Sequence, residues 1–158
     1  MKARHPYRTR IRGRSAAIYS GIMKQIVFLI LIIPMGSFAQ HSLSVTVEGV
    51  HTSEGKVNIA LYNSAEGFLK FDQAYKSDST EAIKGITYFK MYDLPNGEYA
   101  LAVFHDANNN GQLDANWLGI PKEAMGFSNA RMKTFGPPSF KECTIDLHKD
   151  RQVSVIIE

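Results

Sequence analysis

One cysteine, one tryptophan and no acid among the first 39 positions are the scarcities that constrain this 158-residue chain. With Cys143 alone, no disulfide can form within the chain, so any fold must hold by apolar packing. No apolar run approaches the roughly 20 residues a bilayer-spanning helix needs; residues 26–33 supply only eight. The 12 Gly and 6 Pro exclude a collagen or linker-like polymer. No segment beyond residue 40 keeps a helical period for three turns, which removes helix bundles from consideration.

The basic excess is confined to one end. Residues 1–39 hold Lys2, Arg4, Arg8, Arg10, Arg12, Arg14 and Lys24 with no acid, and the remainder carries eleven basic residues against fifteen acids, a net of −4. A phosphate-binding groove for nucleic acid is therefore not expected. From Met23 the leader reads as a charged start, an apolar core and small residues at Ser37 and Ala39. That is the pattern of a secretory signal peptide cut after Ala39, with Met23 as the expected initiator. The expected localisation is periplasmic or extracellular, with no transmembrane span after cleavage.

Residues 40–158 form one domain in this reading, long enough for a single core. Leu43, Val45 and Val47 alternate with Ser44, Thr46 and Glu48, and Val57, Ile59 and Leu61 alternate with Asn58, Ala60 and Tyr62. Tyr99, Leu101 and Val103 repeat the pattern, and Val153, Val155 and Ile157 close the chain. Period two predicts strands with one buried and one wet face. Asn96-Gly97 after Pro95 predicts a hairpin joining a run near residues 86–91 to a strand starting at Glu98. Ser64 is expected to cap one helical turn over residues 64–69. The expected fold is all-β, an antiparallel sandwich of about seven strands. Cys143 alternates with Ile145 and Leu147, which predicts a buried strand position.

Residues 106–140 interrupt the alternation with four Gly, three Pro and five of the eight Asn. Trp117, Phe127, Phe135 and Phe140 lie in the same stretch, so an ordered loop is expected, with a short strand near residues 128–133. These four aromatics read either as a small core under the loop, the favoured reading, or as a binding platform for sugar or peptide. Lys122 and Glu123 read as solvated surface.

The sharpest motif is DANNNGQLD at residues 106–114. Asp106, Asn108, Asn110 and Asp114 occupy positions 1, 3, 5 and 9 of a loop, Gly111 position 6, and the Gln112 carbonyl position 7. Such spacing wraps Ca²⁺ in EF-hand-type loops. Position 12 is Trp117 rather than a bidentate Glu, so a more distant acid such as Glu123 would have to complete the shell. A site so built would bind in the weak range of about 10⁻⁴ to 10⁻³ M. The competing reading is a set of Asx-turns with no ion. His105, beside Asp106 and Asp114, offers a general base for a hydrolase, but no nucleophile or orienting group accompanies it. A histidine satisfied by loop carbonyls or carboxylates is the favoured reading. His41, His51 and His148 are scattered.

LPNGEYALAVFHD at residues 94–106, NNNGQLD at 108–114, GIPKEAMGFSN at 119–129 and FGPPSF at 135–140 together resemble the bacterial domain of unknown function 2141 family (DUF2141). The resemblance spans residues 43–157 and implies a small exported protein without an assigned activity. LPNGEYAL is also similar to the strand–turn–strand of collagen-adhesin B-type and transthyretin-like sandwiches, which implies an Ig-like or transthyretin-like fold. The expectation at this point is a non-catalytic envelope or extracellular binding module with an unidentified ligand, with Ca²⁺ as the one cofactor weighed.

Overall fold

The computed structural model describes residues 40–158, so the leader, its cleavage after Ala39 and the Met23 start lie outside the described residues. Alternation becomes strand where it was expected. β1 (Gln40–Val50), β2 (Lys56–Tyr62), β4 (Gly85–Pro95), β5 (Gly97–Asp106) and β8 (Arg151–Ile156) follow the period-two runs. β3 (Lys76–Glu81), β6 (Met125–Phe127) and β7 (Ile145–Leu147) complete the set, with one helical turn, α1 (Phe140–Cys143).

The strands form two sheets, ordered β4-β1-β8 and β3-β2-β5-β6, with β7 also pairing β5. Leu43, Val45 and Val47 of β1 face Val57, Ile59 and Leu61 of β2 and Leu101 and Val103 of β5 in one dry core. Burial of these side chains stabilises by roughly 1.5–3 kcal/mol each.

The sandwich departs from the all-antiparallel expectation at one pair. β1 and β8 run parallel, Leu43 to Arg151 through Glu48 to Ile156. Parallel neighbours need a long crossover, and here everything between residues 50 and 151 serves as that crossover. β4 contains an irregularity between its Leu94 and Met91 pairings with β1, where Asp93 adopts φ 59. The extra residue shifts the inward set from Phe89 and Met91 to Leu94, since side chains alternate with period two.

Four local expectations need correction. The Asn96-Gly97 turn makes no hairpin: β4 pairs β1 and β5 pairs β2, so the turn carries the chain from one sheet to the other. The strand expected at residues 128–133 lies at Met125–Phe127. It ends because the Ser128 hydroxyl takes over the ladder, accepting from Leu101 N at 2.9 Å and donating to Cys143 O, while Asn129 turns the chain at φ 55. Residues 64–69 form successive turns rather than a helix, with the Ser64 hydroxyl accepting from Gly67 N at 3.4 Å as the expected cap and Leu69 at φ 65 stopping them, and a 3-10 turn follows at Phe71–Gln73. Cys143, expected in a strand, closes α1 instead; it is fully buried there.

Candidate functional site

The outward residues of β2 and β5 were expected to be wet, but they are not. Ala60 and Tyr62 on β2 and Ala100, Ala102 and Phe104 on β5 are small or apolar, and residues 107–139 fold back over them. Ala100, Phe127 and Cys143 are buried there with Phe68, Leu69, Met125 and Phe140 packed around them. Phe68 meets Tyr62 edge-on at 5.4 Å and Phe140 at 5.8 Å between ring centroids. The sheet is therefore dry on both faces over this region.

The cover is incomplete. Between it and the sheet lies a groove of about 710 Å³. Ala60, Ala102 and Tyr62 make its floor, Leu69 and Phe71 one wall, Leu113, Leu118 and Ile120 a second, and Met132, Lys133, Thr134, Gly136 and Pro137 a third. Phe71, Leu118 and Ile120 are all more than half exposed. Methyl-sized floor positions create the depth, and the unburied side chains above them form a contiguous apolar patch.

The four aromatics of the long connector divide. Phe127 and Phe140 belong to the small core, as the favoured reading had it. Trp117 and Phe135 are 90 % and 96 % exposed and join neither the core nor the groove lining. The connector does not bring the four together as one platform.

The 106–114 turn borders the groove through Gly111, Gln112 and Leu113. Asp106 is buried at the end of β5, and its carboxylate accepts from Asn110 N at 3.0 Å and Gly111 N at 2.7 Å. Asn108 Oδ1 accepts from Asn110 N, and Asn110 Oδ1 from Gln112 N, as Asx-turns do. Asn108 and Asn110 donate their amide N–H groups to the Asp114 carboxylate at 2.7 and 3.1 Å. Glu123, expected to be solvated surface, instead clamps the turn by accepting from Ala107 N and Asp114 N. Gly55 packs under its first residue at φ 68, where a Cβ would stand 2.0 Å from Asp106 O.

Oxygen ligands for a hard cation are present in kind, but their oxygens are engaged by N–H groups. Among the described residues no three His, Cys, Asp or Glu side chains gather closely enough to hold a metal ion. A cation would need Asn108 and Asn110 to turn their amide oxygens inward. Asp106, Asp114 and Glu123 form no ion pair with Lys or Arg among the described residues.

His105 is 4 % exposed, on the core side of β5, with Nε2 2.8 Å from Glu54 O. The carbonyl can only accept, so Nε2 carries the proton. This arrangement matches the satisfied-histidine reading, with a backbone carbonyl as partner. Cys143 is buried, and burial with the negative charge of Glu142 pushes its thiol up to about 11, which keeps it protonated and unreactive.

Sequence reasoning missed the groove floor. The signal was available: at Ala60, Ala100 and Ala102 the outward positions carry no charge, which a wet face would normally supply.

A model of the bacterial family described as "Uncharacterized protein conserved in bacteria (DUF2141)" matches residues 45–155. No curated protein and no solved structure matches the chain.

Proposed function

The chain belongs to the DUF2141 family of uncharacterized bacterial proteins, and from that premise we propose that it is an exported, non-catalytic module that binds a small apolar molecule in the groove. The observation that carries the reading is a floor of Ala60 and Ala102 ringed by unburied Phe71, Leu118 and Ile120. Its volume lies within the roughly 300–1,000 Å³ common to small-molecule sites. The leader pattern before Gln40 supports export. The LPNGEYAL turn supports an Ig-like or transthyretin-like affiliation for the two-sheet sandwich.

A hydrolase built on His105 has less support. Its imidazole faces the core, and the Asp106 and Asp114 carboxylates already hold two N–H groups each. Binding a neutral solvatochromic dye, Nile red, tests the groove. Saturable blue-shifted fluorescence is expected from the wild type and not from Ala102→Trp, whose indole fills the floor while circular dichroism stays unchanged. A wild type that gives no saturable signal would remove the groove as a ligand site.

A second reading concerns the 106–114 turn. Asp106, Asp114 and Glu123 have no Lys or Arg partner among the described residues. This supports a Ca²⁺ ion held by Asp106, Asn108, Asn110, the Gln112 carbonyl and Asp114, with Glu123 completing the shell, once the turn draws its carboxylates closer and Asn108 and Asn110 turn their amide oxygens inward. Such an ion would order the wall that Leu113 gives the groove.

A further inference from the structure

We infer that the groove selects an uncharged, mainly apolar small molecule bearing one hydrogen-bond acceptor, and that the Tyr62 hydroxyl is the group that binds this acceptor. The inference rests on the groove being a ligand site and adds the chemistry of its guest.

Tyr62 ends β2 on the groove floor, 3 % exposed, its ring fixed edge-on against Phe68. The other buried tyrosine among the described residues, Tyr99, donates to Pro95 O at 3.0 Å. Tyr62 has no such partner among the described residues. Its hydroxyl is not sealed off either, because the one sealed side-chain polar atom without a partner there is Asn58 Nδ2. Tyr62 lines the groove, and we place its open hydroxyl on that side. Buried phenols normally find a partner, so one left open in an apolar site is placed to receive it from a guest. Burial, then the charge of Asp72, raises the phenol above its ordinary value, so it stays a donor at neutral pH.

Charge around the groove argues for a neutral guest. Among the described residues Lys133 is the one lining residue with a formal charge, and its ammonium lies 2.7 Å from Glu142 Oε2. Among the described residues an anionic guest would meet Glu142 and Asp72 without a free lining cation, and a cationic guest would find no lining carboxylate. The remaining polar lining residues, Gln112 and Thr134, are exposed at the rim.

Three matched probes decide the matter by displacement of Nile red: hexanophenone (neutral, one acceptor), hexylbenzene (no acceptor) and 6-phenylhexanoate (anionic). Tyr62→Phe keeps the ring and its packing, so its melting temperature should stay near that of the wild type. The variant is expected to bind hexanophenone about fivefold more weakly, the loss of one neutral hydrogen bond, and hexylbenzene unchanged. In the wild type the ketone should outcompete the carboxylate. Equal ketone binding by wild type and Tyr62→Phe would overturn the anchor while leaving the groove standing, and a preference for the carboxylate would overturn neutrality. A wild type that binds neither Nile red nor any of the three probes would overturn the groove itself, and the inference with it.

Discussion

Asp106 and Glu142 are both acids that hold backbone N–H groups, yet they sit in opposite surroundings. Asp106 is buried, and its two short bonds fix Asn110 and Gly111. Hydrogen bonds to a charged group contribute roughly 1.5–3 kcal/mol each at most, and orphaned donors cost more when water cannot reach them. Asp106→Ala is therefore expected to lower stability by about 2 kcal/mol in urea unfolding; no change would mean the turn is held by its other contacts. Glu142 is solvent-facing and closes the capping box of α1, accepting from Ser139 N and pairing with Lys133 at 2.7 Å. The Lys133 bond first, then those from Ser139, lower its carboxyl from 4.5 to about 2. A depressed acid stabilises the fold above its unfolded value and loses that contribution as pH falls toward its folded value. Glu142→Gln should accordingly melt below the wild type at pH 7, with the gap closing between about pH 4.5 and 2. A gap independent of pH would show that the charge does not matter.

Among the elements, the 106–114 turn decides how one wall of the groove is presented. Its hydrogen bonds close it without an ion, so Ca²⁺ would act by replacing amide donors at Asp114 with a cation. Millimolar Ca²⁺ is expected to raise the melting temperature of the wild type by a few degrees, and to leave Asp114→Ala unmoved; an absent shift in the wild type removes the ion. Elements differ in how openly the sequence announces them. β1, β2, β5 and β8 were legible because one inward face is apolar at every second position. β3 was not, since its KSDSTE is polar at every position and mainly exposed at the sheet edge. Such edges are kept polar to discourage pairing with other chains, and this erases the alternation. β6 is three residues long and ends by a serine hydroxyl, a contact between positions 27 apart that no local pattern encodes.

For the whole molecule, the charge asymmetry and the leader make a prediction that is independent of the fold. Protein recovered from the exported fraction of an expressing bacterium should have an intact mass beginning at Gln40. A mass that retains residues 23–39 would overturn cleavage there. Among the described residues no helix is long and apolar enough to cross a membrane.

The sequence by itself determined the all-β class, the turn at Asn96-Gly97, the inward faces of the long strands and the Asx-rich turn, because each depends on neighbours a few residues apart. Only the tertiary structure decided that β8 lies parallel to β1, that Glu123 clamps a turn through contacts up to 16 residues before it, and that Ala60 and Ala102 become the floor of a groove. Those outcomes depend on which distant segment covers which face, and the burial of small outward side chains is fixed only when the connector folds back on the sheet.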